Sequence, residues 1–147
     1  MKYRVRKAKE HQVTQVLALH LLCMPFDDVD IKQDDAHWLV YDETDTPVAF
    51  ASAKFRKKDN YVYFSRAGVL PCARGAGLQK RLIKARLNWA KKVGADTAYT
   101  YTVLKNYPSM LNLLKCGFKF YEPTGVEAYV GEEYHYFCYE INKEEGA

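Results

Sequence analysis

The sequence predicts a mixed α/β fold, and three observations carry that prediction. Short runs that alternate polar and apolar residues, or that concentrate β-branched and aromatic ones, read as strands. They are interleaved with stretches whose apolar residues recur at helical spacing. No internal repeat or low-complexity segment interrupts the alternation. The chain's 147 residues, 48% of them hydrophobic, can bury one core more comfortably than two, so residues 1–147 are expected to form a single domain.

The elements follow in order. "KYRVRKA" (Lys2 to Ala8) alternates like a strand, and Val13, Val16, Leu17, His20 and Leu21 then recur at helical spacing. A loop containing Pro25 and Asp27 comes next. "HWLVYDE" and "PVAFASAKF" flank "TDT" as two strands joined by a turn, and "YVYFSRAGV" follows the turn-like "KKDN". These three strands are expected to pair as an antiparallel meander. From Gly75 the period changes: Leu78, Leu82, Ala85, Trp89 and Val93 share one helical face while Lys80, Lys84 and Lys91 point away, and the helix closes near Gly94. "TAYTYTV" (Thr97 to Val103) reads as a strand. A shorter helix starts after Asn106 with Pro108 in its first turn and stops at Gly117. "FKFYE" and "YHYFCYEIN" read as a closing pair of strands.

Charge is distributed unevenly. Phe26 to Asp45 carries eight carboxylates against the single Lys32, whereas Lys54 to Lys92 carries twelve Lys or Arg against only Asp59. One region suits a cation and the other an anion. A nucleic-acid binder normally interleaves aromatic and basic residues on one element or carries a known reading motif; neither is found, so no nucleic acid is expected. No apolar run approaches the roughly 20 residues that span a bilayer. "MKYRVRKAKE" lacks the apolar stretch of a signal peptide, so no membrane and a cytoplasmic location are expected. Cys23, Cys72, Cys116 and Cys138 are widely spaced and include no Cys-x-x-Cys pair, which points to free thiols and to no metal site.

The stretch "VLPCARGAGLQKRLIKARL" (Val69 to Leu87) carries the main functional signal. A P-loop needs Gly-Lys-Ser/Thr, and here Leu78 and Gln79 follow Gly77; a dinucleotide fingerprint needs a third glycine where Lys80 stands. What remains is a strand end, a tight two-glycine turn and a long helix whose first N–H groups have no intrahelical acceptors. Such a helix start attracts anions, the glycines admit close approach, and Arg74 and Lys80 add formal charge. The same residues also suit a plain strand-to-helix turn.

The order around this turn resembles the GNAT superfamily of acetyl-CoA-dependent N-acetyltransferases. The family's signature is Gln or Arg, two residues, Gly, one residue, then Gly or Ala, after a Val-x-Pro strand end. Here Val69-Leu70-Pro71 precedes Arg74-Gly75-Ala76-Gly77-Leu78-Gln79, with Gln79 in place of the small residue. Asn106, Ser109 and Cys116-Gly117-Phe118 resemble the family's second block. The resemblance runs from about Tyr3 to the end. It implies a mostly antiparallel sheet of about seven strands flanked by about four helices, with the fourth and fifth strands splayed apart. It also implies acetyl-CoA as co-substrate and no metal. The main chain of Ala67 and Val69 would bind the pantetheine arm, and Arg74, Gly75, Ala76, Gly77, Leu78, Gln79 and Lys80 would cradle the pyrophosphate. Asn106 would hold the cofactor arm. Gly68 is consistent with a bulge or a close backbone approach.

The implied activity is transfer of the acetyl group to a primary amine by direct attack in a ternary complex. The acceptor is a small cationic amine or a protein lysine or N-terminus. A catalytically silent acyl-CoA-binding module acting through a protein partner is the alternative, and a homodimer is left open. Such transfer needs a neutral amine, a polarised carbonyl and a proton for the departing thiolate. A backbone N–H near Val69 would serve the carbonyl. The family's usual acid, a tyrosine seven residues after the Asn, is replaced by Leu113. Ser109, Tyr107 and Tyr101 are the remaining catalytic candidates. Tyr101 stands where the family often has its base, and an ordinary phenol, with a pKa of about 10, is a poor one. Tyr121 and His135 are further candidates, each with a structural role as the plainer reading. The loop "PFDDVDIKQDDAHW", with five aspartates, lies where the family lines its acceptor side and would either attract a cationic amine or simply be solvated.

Overall fold

A computed structural model describes residues 2–123 and 134–141. Strand β1 (Arg4–Lys7) leads through a 3-10 turn into helix α1 (Val13–Cys23), followed by β2 (Ala36–Tyr41), β3 (Pro47–Arg56) and β4 (Tyr61–Val69). A second 3-10 turn, Pro71–Ala73, precedes α2 (Leu78–Lys92), then β5 (Thr97–Val103), α3 (Tyr107–Lys115), β6 (Lys119–Phe120) and β7 (Tyr134–Glu140). The strands hydrogen-bond in the order β1-β2-β3-β4-β5-β7-β6. This is the seven-stranded mixed sheet expected.

The chain clusters into two compact units: Met1–Lys54 with Phe64–Arg86, and Phe55–Tyr63 with Leu87–Ala147. In the first, β1 pairs antiparallel with β2 (Val5 opposite Val40) and β2 antiparallel with β3 (Leu39 opposite Phe50). The "TDT" turn forms because Asp42 Oδ1 accepts from the Thr44 and Thr46 backbone N–H groups and the Thr44 hydroxyl, bonds that hold the Asp42 carboxyl below its ordinary pKa. Helix α1 buries Val16 and Leu19 against Leu39 and Phe50, with Cys23, Met24, Ile31 and Leu70 packed around them. Each such fully buried side chain contributes roughly 1.5–3 kcal/mol.

In the second unit, Tyr61–Tyr63 pair parallel with Thr97–Tyr99, and the registered ladder between β4 and β5 ends there. β5 pairs antiparallel with β7 over seven residues, and β7 with β6 over two.

Three expectations need correction. The described residues hold three α-helices rather than about four. Between Met24 and Asp35, Pro25 and closely spaced aspartates favour turns, and Lys54 fastens the loop through Asp35 at 2.6 Å and Asp30 at 3.0 Å. The strand expected over "FKFYE" is only Lys119–Phe120. The buried face of α2 includes Ile83, Arg86, Leu87 and Ala90, whereas Ala85 and Trp89 are only half-buried. Arg86 escaped an apolar-only pattern because its charge is satisfied inside: Nε donates to the Leu82 carbonyl and the guanidinium lies 4.2 Å from the Phe64 ring centroid.

Candidate functional site

The glycine turn belongs wholly to the first unit. Leu70 N–H donates to the Val48 carbonyl at 2.9 Å, which ends the β4 ladder, and Pro71 starts the 3-10 turn. Arg74 is extended, after which Gly75 and Gly77 take φ of +84° and +74°. An L side chain is strained in that region, so glycine at both positions makes the tight reversal possible. A Cβ built on either glycine meets no heavy atom within 4 Å, so open space lies before this stretch of main chain.

Arg74, Gly75, Ala76 and Gly77 are exposed, Gln79 and Lys80 half-buried, and Leu78 turns inward as the first core residue of α2. The first intrahelical bond of α2 runs from Arg81 N–H to the Gly77 carbonyl. The N–H groups before it point out of the helix end with its partial positive charge. Arg74 Nε donates to the Val69 carbonyl at 3.3 Å, which tethers its guanidinium to the strand end. The residues present, an open two-glycine turn at a helix start with Arg74 and Lys80 in the same stretch, have the donors and charge that suit an anion such as a pyrophosphate.

Directly before the cradle, Ala67 is half-buried and Val69 buried. Gly68 explains itself by close approach: a Cβ there would lie 2.8 Å from Cys23 Cβ and 3.0 Å from Phe50 Cε1. The end of α1 therefore rests on the backbone of β4. Burial raises the Cys23 thiol pKa and the Arg74 charge partly opposes the rise, so the thiol stays protonated at neutral pH.

The second unit holds the other expected residues. Asn106 is the N-cap of α3, its Oδ1 accepting from Ser109 N–H at 3.4 Å. Tyr107 and Ser109 thus share the first turn of α3, with Tyr107 exposed and Ser109 half-buried. Leu113, in the slot where the family usually has a tyrosine, is 5% exposed, and its carbonyl closes the helix end by accepting from the Cys116 and Phe118 N–H groups. A core position of this kind has no place for a solvated phenol.

Tyr101 lies in β5 among tyrosines. Its ring stacks on Tyr63 at 6.0 Å and meets Tyr134 at 4.5 Å and Tyr136 at 6.1 Å, while Tyr99 contacts Tyr61 and Tyr121, each at 5.2 Å. Period-two spacing on neighbouring strands puts these rings on one face, which strand propensity alone does not anticipate. His135 sits edge-on to Phe120 at 5.6 Å.

Several polar residues of the first unit were not anticipated. His37 is buried with Nδ1 bonded to the Ser52 hydroxyl and Nε2 to the Lys32 carbonyl, both at 2.7 Å. His20 is fully buried, and burial together with the Arg66 charge lowers its pKa. Its helical position was legible, but its lack of polar partners has no signature in sequence. Among the described residues no three His, Cys, Asp or Glu side chains gather to hold a metal, and no helix is long and apolar enough to cross a membrane.

No curated protein matches the chain by sequence. Solved structures do match its fold. One is yncA from Salmonella typhimurium with acetyl-CoA as its cofactor, at TM-score 0.73 and 13% identity over 96% of this chain and 95% of that one. Another is the ribosomal-protein-S18-alanine N-acetyltransferase from Escherichia coli, at TM-score 0.75 and 13% identity over 95% and 94%. Mutant forms of the spermidine/spermine N-acetyltransferase SpeG from Vibrio cholerae match at TM-score 0.72 and 12% identity over 99% and 98%. Residues 5–118, which run from β1 through the cradle to the turn after α3, match the acetyltransferase (GNAT) family, and the chain belongs to that family.

Proposed function

We propose that this GNAT-family acetyltransferase transfers the acetyl group of acetyl-CoA to a primary amine by direct attack in a ternary complex. The observation that carries this reading is the cradle: two positive-φ glycines and the start of α2, open to solvent and flanked by Arg74 and Lys80. Arg74, Gly75, Ala76, Gly77, Leu78, Gln79 and Lys80 would hold the pyrophosphate, the main chain of Ala67 and Val69 the pantetheine amides, and Asn106 the arm. When bound, acetyl-CoA supplies an activated acetyl thioester.

The chain's own residues then have three tasks. A backbone N–H near Val69 would polarise the acetyl carbonyl as negative charge develops on its oxygen. The hydroxyls of Ser109 and Tyr107, in the first turn of α3, are the assigned proton donors to the departing thiolate, with Tyr101 the candidate acceptor of the amine's proton. Holding amine and thioester in register supplies several kcal/mol of the barrier reduction without a strong acid or base. This division of labour accommodates Leu113 as a core residue.

The acceptor class is primary amines. The solved structures that share the fold bear names as different as a ribosomal-protein-alanine and a spermidine/spermine N-acetyltransferase, so the fold leaves the acceptor open. Thiol release from acetyl-CoA in the presence of amines, amino acids and basic peptides tests the reading. Acceptor-dependent release supports it. Tight acetyl-CoA binding with no release across the whole screen would overturn it.

A further inference from the structure

One cluster in the first unit has no role in the transfer chemistry just described. His20 on α1 is completely buried, and neither Nδ1 nor Nε2 has a hydrogen-bond partner among the described residues. Arg66 on β4 has a buried Nε that likewise lacks an acceptor, while its Nη2 donates to the Asp28 carbonyl at 3.2 Å.

Two contacts bring the stretches that carry these groups together. Cys23, one helical turn beyond His20, rests on position 68, one strand repeat beyond Arg66. Phe50 spans the same region, its ring 6.0 Å from the His20 ring and 3.0 Å from a Cβ built at position 68, two residues beyond Arg66. The Arg66 charge acts on the His20 imidazole in keeping with this placement.

Buried polar groups are ordinarily satisfied, and an apolar side chain would serve packing alone at lower cost. The His20 imidazole and the Arg66 Nε, the latter one residue before the Ala67 to Val69 strand end assigned to the cofactor arm, therefore hold donor capacity that a ligand group can take up. The available groups are a guanidinium fork and an imidazole N–H. That fork matches the two oxygens of a carboxylate, and the imidazole can donate to the same anion. The neighbouring acidic loop is partly neutralised, since Lys54 pairs with Asp30 and Asp35, whereas Asp27 and Asp28 are exposed.

We propose that Arg66 and His20 form a carboxylate-recognition subsite, so that the acetyl acceptor is an aminocarboxylate. The proposal rests on the acetyl-transfer reading above. On binding, Arg66 exchanges the neutral Asp28 carbonyl for a charged acceptor, and the guanidinium and the imidazole share one anion. Arg66 and His20 are specificity residues in this scheme, and the chemistry of transfer remains with the groups already named.

The test uses the full chain, acetyl-CoA and a thiol-release assay. The acceptors are the protein amino acids, β-alanine and 4-aminobutyrate, each beside its carboxamide. For the best acceptor, kcat/KM for the free acid should exceed that for its amide by about tenfold or more, the scale of one charge-assisted hydrogen bond. In Arg66→Gln the ratio should collapse to about twofold or less, with acetyl-CoA affinity by calorimetry unchanged. His20→Asn should narrow it to a lesser degree. Equal rates for acids and amides would overturn the subsite. So would a ratio that survives Arg66→Gln, or acetylation of plain amines but of no free acid. Turnover of nothing by a protein that binds acetyl-CoA defeats both readings, and failure to bind acetyl-CoA removes the transfer reading and this subsite with it.

Discussion

Cys23 occupies the space that a side chain at Gly68 would need, its Cβ 2.8 Å and its Sγ 2.9 Å from the position of a Cβ there. The close approach is between a helix end and a strand backbone, so neither can yield by a simple rotamer change. Gly68→Ala should destabilise the protein by about 1–3 kcal/mol, the usual cost of overpacking a filled core. The readout is the urea midpoint at constant m-value. Because Ala67 and Val69 flank the site of strain, acetyl-CoA affinity should fall as well. A variant with wild-type stability would show that α1 does not rest on β4 in this way.

The buried Lys54 fastens the acidic loop. Its side chain is 5% exposed and reaches Asp35 and Asp30 together, which leaves two carboxylates dependent on one ammonium. Lys54→Met keeps most of the apolar stem but strands both acids, and should cost about 3 kcal/mol, as removal of one partner of a buried pair does. Chemical denaturation checks the cost. Limited proteolysis should then cut between Met24 and Asp35 faster than in wild type.

Stability should also depend on His20. Burial and the Arg66 charge lower its pKa below the ordinary 6.5, against weaker opposition from Asp27 and Asp30. The unfolded chain therefore binds a proton that the folded chain refuses once pH drops below about 6.5. Stability is full above that value and declines as pH falls, with a slope no steeper than about 1.4 kcal/mol per pH unit for one proton. Urea midpoints between pH 8 and pH 5 measure this. His20→Gln should flatten the decline relative to wild type, and an unchanged profile would remove His20 as its source.

Much of this architecture could be read from the residues. "YVYFSRAGV" after its turn and the β-branched and aromatic "TAYTYTV" marked β4 and β5 at their observed ends, because such side chains and the turn residues between them report directly on strand geometry. Gly75 and Gly77 marked the tight turn before α2 because only a few residue types tolerate the backbone found there. Less was legible where long-range contacts decide. Arg86 sits in the core on the strength of Phe64 and two carbonyls from other positions, and the aspartates of the acidic loop are held by Lys54, nineteen residues beyond Asp35. The orphaned nitrogens of His20 are defined by what surrounds them, which no local pattern encodes.

The central claim is that the turn from Arg74 to Lys80 holds the pyrophosphate of acetyl-CoA, and calorimetry on Gly77→Glu tests it most directly. The substitution puts a carboxylate into open space in front of the cradle, at a backbone φ of +74°. It should cost about 1–2 kcal/mol of stability through strain, with the circular dichroism spectrum preserved. The wild-type chain should bind acetyl-CoA and CoA, and the variant should lose at least about a hundredfold in affinity for both, because like charges would meet at the site. Undiminished affinity in a folded Gly77→Glu protein would contradict the placement of the cofactor.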